Sequence, residues 1–175
     1  MRPDLLQLFY WLRADPERPL RGVQTLHRES IVSSPLDQTF EFFSNAANLE
    51  RLTPPWLNFR IRTPLPIAMG EGAIIDYLIG LYGVPIPWRT RIDIWEPGVR
   101  FVDRQVAGPY RWWHHEHRFE AVPGGTRVID HVEYVPRVAA LSSWLVTRDV
   151  GRIFAYRQQV LPSMLAATRD TILQA

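Results

Sequence analysis

The sequence predicts an α+β fold, and three observations carry that prediction. From Leu57 to Val135 the chain reads as strand-like segments divided by the turn signals "MGEG", "EPG", "AGP" and "PGG". A strand and two short helical segments precede that series, and one long helical segment follows it. Strands joined by short turns form an antiparallel sheet, and the apolar face of such a sheet must be covered, here by the long helix.

The elements follow in order. Leu5, Leu8, Phe9 and Leu12 fall at i, i+3, i+4 and i+7, one apolar stripe of a helix ended by "ADPERP". Residues 1–24 are therefore expected as an N-terminal extension, and 25–175 as one domain. The stripe would pack on its own domain or on a second copy in a homodimer; its polar face has too few basic residues for a membrane-surface helix. "TLHRESIVSSPLDQTFEFFSN" reads strand, cap, helix, with Ser34 as cap, Pro35 at the first helical position and Leu36, Phe40 and Phe43 buried. "NLERLTPPW" is a second short helix, capped by Asn48 and stopped at Pro54–Pro55.

Strands are expected at Leu57–Thr63, Ala73–Tyr82, Trp88–Trp95, Arg100–Gln105, Tyr110–Ala121 and Thr126–Val135. The prolines of "GVPIP" make Gly83–Pro87 a loop. In the last segment Val150, Ile153, Phe154, Arg157, Leu161, Met164, Leu165 and Thr168 keep the helical period. Pro162 interrupts it, removing a hydrogen bond and pressing on the carbonyl of Gln158, so a kink is expected there and not an end.

Composition excludes several chemistries. The chain has 175 residues, long enough for a core without staples. It contains no cysteine, which rules out disulfides, thiolate metal sites and a cysteine nucleophile. All 20 basic residues are arginine, so Schiff-base lysine chemistry and a Walker-type phosphate loop are excluded. The formal charge is only +2 and the signs are interspersed, which argues against nucleic acid as a partner. No run is long enough for stable membrane insertion, and the apolar start is a poor signal peptide, so a cytoplasmic location is expected.

Four segments carry a resemblance: "IVSSPLDQTFEFFSNAANLERLTPPWLNFRI", "PWRTRIDIWEPGVRFVDRQVAGPYRWWHHEHRFE", "GGTRVIDHVEY" and "IFAYRQQVL". Together they resemble the SRPBCC superfamily, the START-like and polyketide cyclase/dehydrase proteins, and within it a bacterial ligand-binding subgroup whose members are sometimes fused to an epimerase-like domain. The resemblance covers roughly Leu26 to Ala166; residues 1–24 and Pro162 lie outside it. It implies the helix-grip fold: a curved antiparallel sheet of six to seven strands wrapped around a long C-terminal helix, with two short helices after the first strand. It implies a cavity between sheet and helix that takes lipids, polyketides, quinones or other apolar molecules. It does not imply catalysis, which only a minority of such proteins perform.

The segment "GPYRWWHHEHRFE" holds the densest chemistry. Side chains alternate along a strand, so Trp113, His115, His117 and Phe119 share one face, and Trp112, His114, Glu116 and Arg118 the other. The second set is the more polar and is assigned to solvent. Closing the next hairpin with Gly124–Gly125 as its turn pairs Phe119 with Asp130, His117 with Val132 and His115 with Tyr134. Val128, Asp130, Val132 and Tyr134 then join the inner face, with Asp130 diagonal to His117.

Three readings of that face are open. A metal site would need His115, His117 and Asp130, a weak motif, and no metal or other cofactor is expected. A catalytic reading makes His117 and Asp130 a general base with Tyr134 as acid or oxyanion donor. The reading the pattern favours is a hydrogen-bonded polar cluster that fixes register or orients a ligand, since buried polar groups satisfy one another. The expected cavity residues are Trp113, His115, His117, Phe119, Asp130, Val132, Tyr134, Phe154, Arg157 and Leu161. Arg157 is expected to form a salt bridge to the sheet. Arg91 and Asp93 share a face of their strand and are expected to pair, on a side the pattern does not assign. Trp56, Trp88 and Trp113 are bulky candidates for the cavity wall.

The sequence thus predicts a binding protein for a small hydrophobic molecule. The alternatives are a cyclase or dehydratase built on the His-Asp-Tyr cluster, and an interaction module acting through the N-terminal helix.

Overall fold

The structure is a computed structural model and describes residues 13–15, 21–137 and 143–173. The expected helix at Leu5–Leu12 lies outside the described residues. Seven antiparallel strands form one sheet in the order β1-β7-β6-β5-β4-β3-β2. They are β1 (Gln24–Val32), β2 (Arg60–Ile61), β3 (Ile74–Leu81), β4 (Val84–Glu96), β5 (Arg100–Ala107), β6 (Tyr110–Val122) and β7 (Gly125–Pro136). Helices α1 (Leu36–Ser44) and α2 (Ala47–Leu52) follow β1, and α3 (Ser143–Leu173) ends the fold. Consecutive hairpins run from β2 to β7, and the first strand returns to pair with the last. This is the expected helix-grip arrangement.

Burial alternates along β7, with Thr126, Val128, Asp130, Val132 and Tyr134 inward and Arg127, Ile129, His131 and Glu133 outward. The C-terminal helix covers that inner face with Val150, Phe154, Arg157, Leu161 and Leu165. It runs through Pro162 without ending there. Phe42 joins Phe40 and Phe43 in the core, which the expected stripe of α1 did not include.

The caps differ from expectation. Ser34 contributes its carbonyl and not its hydroxyl: that oxygen accepts from Thr39 Oγ1 at 3.4 Å and Thr126 Oγ1 at 2.7 Å. Asn48 lies inside α2, and Asn45 Oδ1 accepts the Ala47 amide at 3.0 Å. The segment expected as a strand from Leu57 starts on the last residue of a 3₁₀ turn, Pro55–Leu57, and only Arg60–Ile61 pairs.

Of the expected loop Gly83–Pro87, only Gly83 lies in a turn. Residues from Val84 onward pair with β3, placing Pro85 opposite Gly80 and Pro87 opposite Leu78. Pairing of β4 with β5 begins only at Arg89, so both prolines stand where β4 has one neighbour, and a missing N–H there need not break a ladder. Register shifts at Arg89/Thr90 and Ile92/Ile94 interrupt the β4–β5 ladder, a device that bends a sheet.

The β6–β7 hairpin closes two residues from the expected register. Val122 pairs with Gly125, leaving Pro123–Gly124 as the turn. Gly124 has φ +85°, and proline followed by a residue at positive φ is type II chemistry. A shift of two preserves every side chain's face, so Asp130 stays inward and stands directly opposite His117, not diagonal to it. Gly125 serves another purpose. A Cβ there would lie 1.9 Å from the Val32 carbonyl oxygen and 3.1 Å from Ser33 Cα, both backbone atoms at the end of β1. Gly125→Ala is therefore expected to lower stability by about 3 kcal/mol through overpacking, read as a drop in the urea midpoint. An unchanged midpoint would mean that the end of β1 moves aside freely.

Candidate functional site

A cavity opens between the inner face of β3–β6, the helices α1 and α2, and the first half of α3. Its volume is about 150 Å³, near the size that holds one aromatic ring. Most of its wall is apolar: Phe59, Ile75, Ile79, Trp88, Trp113 and Phe154 are among the side chains that face it. Two groups of polar atoms interrupt that wall.

The smaller group sits on β3 and β4. Thr90 Oγ1 accepts from Trp88 Nε1 at 3.0 Å and lies 3.1 Å from the Tyr77 hydroxyl. Burial pushes the Tyr77 phenol well above its ordinary range, so it stays protonated. Thr90 and Ile92 therefore mark the inward side of β4. Arg91 and Asp93 are on its outer side, paired at 2.6 Å, and Asp93 also accepts from Arg104 at 2.6 Å.

The larger group brings together β5, β6, β7 and α3. The register sets Asp103 opposite His115 and Phe101 opposite His117 across β5–β6, while His117 faces Asp130 across β6–β7. Each imidazole then spans two carboxylates. His115 Nε2 is 2.8 Å from Asp130 Oδ1 and its Nδ1 is 3.2 Å from Asp103 Oδ2. His117 Nε2 is 3.1 Å from Asp103 Oδ2 and its Nδ1 is 3.0 Å from Asp130 Oδ1. The last approach is not aligned for a hydrogen bond, and Nδ1 of His117 is a buried atom without a hydrogen-bond partner. Arg157 Nη1 lies 3.3 Å from the same Asp130 oxygen, which is the expected salt bridge to the sheet.

Aromatic contacts fix the two rings. Their centroids are 3.7 Å apart, Phe101 stacks on His117 at 4.3 Å, and Phe154 meets His115 edge-on at 5.2 Å. The histidines are only 3% and 5% exposed, so the charges act on one another through little water. Burial opposes ionisation of Asp103, His115 and Asp130, and the opposite charges around them overcome it. Arg157 and the histidines hold the Asp130 carboxyl well below its ordinary range, and the histidines likewise lower Asp103. Burial alone would lower His115, but the two carboxylates hold it above the ordinary histidine value.

Of the ten residues expected along the cavity, Trp113, His115, His117, Phe154 and Arg157 line it. Asp130 stands behind the histidines. Phe119, Val132, Tyr134 and Leu161 are buried but pack into the two core clusters to either side. Tyr134 lies opposite Trp113 and against Tyr110, so it is not grouped with His117 and Asp130. Trp88 and Trp113 stand in the wall, whereas Trp56 is half exposed against Tyr156 and Arg152. His114 and Glu116 are on the outer face as expected. Trp112 shares that face but is buried, not solvent-exposed; a bulge precedes it and its ring lies parallel to His114. Asp103, Tyr77 and Thr90 were missed. The alternation Phe101, Asp103, Gln105 against Arg100, Val102, Arg104 was the available signal for Asp103.

A sheet gripping a long helix, with a largely apolar cavity between them, defines the class: the helix-grip fold. The structure resembles the Zhui aromatase/cyclase from Streptomyces sp. R1128 with a TM-score of 0.66 and 16% identity, over 82% of this chain and 94% of that one. It resembles Ara h 8.0201 with a TM-score of 0.56 and 17% identity, over 81% of this chain and 99% of that one. A nucleoside-diphosphate sugar epimerase from Corynebacterium glutamicum is 24% identical with a TM-score of 0.60, over 81% of this chain but only 29% of its own length. No curated protein matches. The chain belongs to the family described as a domain of unknown function, DUF8410, whose model matches residues 68–165. No helix among the described residues is long and apolar enough to cross a membrane.

Proposed function

We propose that this protein binds a small hydrophobic ligand for carriage, sensing or sequestration, with the ligand's polar end at the histidine cluster. The apolar cavity with buried polar groups in its wall carries this reading, since such pockets combine apolar walls with a few convergent polar groups. The volume bounds the occupant: one ring or a short chain fits the structure as it stands, and a larger lipid, quinone or polyketide must widen the mouth. The likeness to an aromatase/cyclase supports an aromatic or polyketide ligand.

The test is titration with a one-ring apolar probe, 4-nitrophenol, followed by displacement with unlabelled phenol. Saturable one-to-one binding is expected, with quenching of tryptophan fluorescence through Trp88 and Trp113. Weak, unsaturable uptake would sink the proposal. Native mass spectrometry of protein from its source would then identify the resident molecule.

One observation favours a second reading, a cyclase or dehydratase. Nδ1 of His117 is unpartnered, and the ring lines the cavity while its other nitrogen is held by Asp103. His117→Asn separates the two readings. A binding protein should change affinity modestly, and an enzyme should lose turnover of a polyketide-like substrate.

A further inference from the structure

We propose that Asp103, His115 and His117 form a site for one first-row divalent transition-metal cation, with Asp130, itself paired to Arg157, supporting it from behind and the cavity in front. This goes beyond the ligand reading and does not rest on it.

Convergence is the first argument. Nδ1 of His115 and Nε2 of His117 approach one oxygen, Oδ2 of Asp103, at 3.2 and 3.1 Å. One ligand atom from each of the three residues falls within 4.8 Å of the others. Metal bonds of about 2.0–2.1 Å in a tetrahedral site put neighbouring ligand atoms about 3.3 Å apart. A small adjustment of the Asp103 side chain would therefore admit the ion. Two histidines one residue apart on a strand present their rings to the same face, so the backbone already sets the spacing.

Hydrogen counting is the second. Four nitrogen–oxygen approaches of 3.2 Å or less link two imidazoles to two carboxylates. Two neutral rings supply two N–H groups. The other two nitrogens would then set lone pairs against carboxylate oxygens in a buried place, which is costly unless a proton or a metal ion takes them up. A cation between Asp103 and the histidines uses those lone pairs as ligands.

The third is the support behind the rings. A ligating histidine ordinarily directs its other nitrogen to a carboxylate that fixes its tautomer. Here Nε2 of His115 is hydrogen-bonded to Oδ1 of Asp130 at 2.8 Å, Nδ1 of His117 lies 3.0 Å from the same oxygen without hydrogen-bond alignment, and Arg157 holds that oxygen at 3.3 Å. Two nitrogens and one oxygen, without thiolate, suit zinc or iron(II) and leave coordination positions open to the cavity. A ligand's hydroxyl or carboxylate could fill them.

The test uses the full chain stripped with a chelator and titrated with Co²⁺ and Zn²⁺ alone. One equivalent of Co²⁺ is expected to give visible bands of four- or five-coordinate intensity, and Zn²⁺ to displace it. Asp103→Asn should weaken Zn²⁺ binding at least 100-fold, and Asp130→Asn by about 10- to 100-fold. His27→Ala and His131→Ala, on the outer face, should leave it unchanged. Should Asp103→Asn fail to fold, Co²⁺-shifted ring protons of His115 and His117 in the wild-type NMR spectrum give the same answer. Absence of a one-to-one complex at micromolar metal overturns the proposal, as does binding that survives Asp103→Asn or disappears with His27→Ala.

Discussion

Asp130→Ala is expected to destabilise the protein by about 3–5 kcal/mol, because it breaks a buried ion pair from one side. Oδ1 of Asp130 is the shared partner of His115, His117 and Arg157. Removing it leaves a guanidinium that is only 7% exposed without its carboxylate. Deleting both charges should cost less than deleting one. The double variant Asp130→Ala, Arg157→Leu is therefore expected to recover part of the loss, and a thermodynamic cycle on urea midpoints measures the coupling. A double variant whose loss equals the sum of the two single losses would mean the pair is not coupled.

The same cluster sets a pH dependence, measured with chelator present. Asp103 and Asp130 are lowered, so their contribution is present above the ordinary carboxylate range near about pH 4 and is lost as pH falls toward their lowered values. His115 is raised, so its contribution is complete below about pH 6.5 and is lost as pH rises through its folded value. The cluster's stabilisation should therefore be greatest between about pH 4 and pH 6.5. Asp130→Ala should weaken the decline on both sides. Equal slopes in the two proteins would locate the titrating groups elsewhere.

Alternation and turn chemistry explain why so much of the fold was legible. Period-two burial is imposed by the pleat, so the faces of β6 and β7 survived even a two-residue error in register. That error came from assigning both glycines of "PGG" to the turn. Only Gly124 is needed at positive φ, and Gly125 is kept small by the backbone of β1, a long-range contact that no local pattern shows. The prolines of β4 misled for a similar reason: whether they break a ladder depends on where the neighbouring strand ends. Asp103 shows the same limit for the site. Its strand was identified and its face could be read, but its meeting with His115 depends on the β5–β6 register, which sequence does not display. Beyond Trp88, the cavity wall on β3 and β4 was missed because the inner side of β4 could be assigned only once Thr90 and Ile92 were seen facing α1 and α2 across the cavity.

Phe154→Ala should combine a stability loss with a gain in ligand range. The ring is 2% exposed, meets His115 edge-on and lies 5.0 Å from the Arg157 guanidinium carbon. Truncating it costs about 3–5 kcal/mol in transfer and cavity terms. It also joins the vacated space to a cavity of only about 150 Å³. Two-ring and longer apolar ligands that bind wild type poorly should therefore bind the variant more tightly. Leu161→Ala supplies the control. Leu161 is equally buried, at 1% exposure, and packs with Phe119 and Val128 away from the cavity. Its loss should cost a similar about 2–5 kcal/mol without extending the ligand range. If both variants extend it equally, softening of the fold explains the effect, and the wall at Phe154 does not set ligand size. If only Phe154→Ala extends it, the length limit is set where α3 crosses the histidine strand.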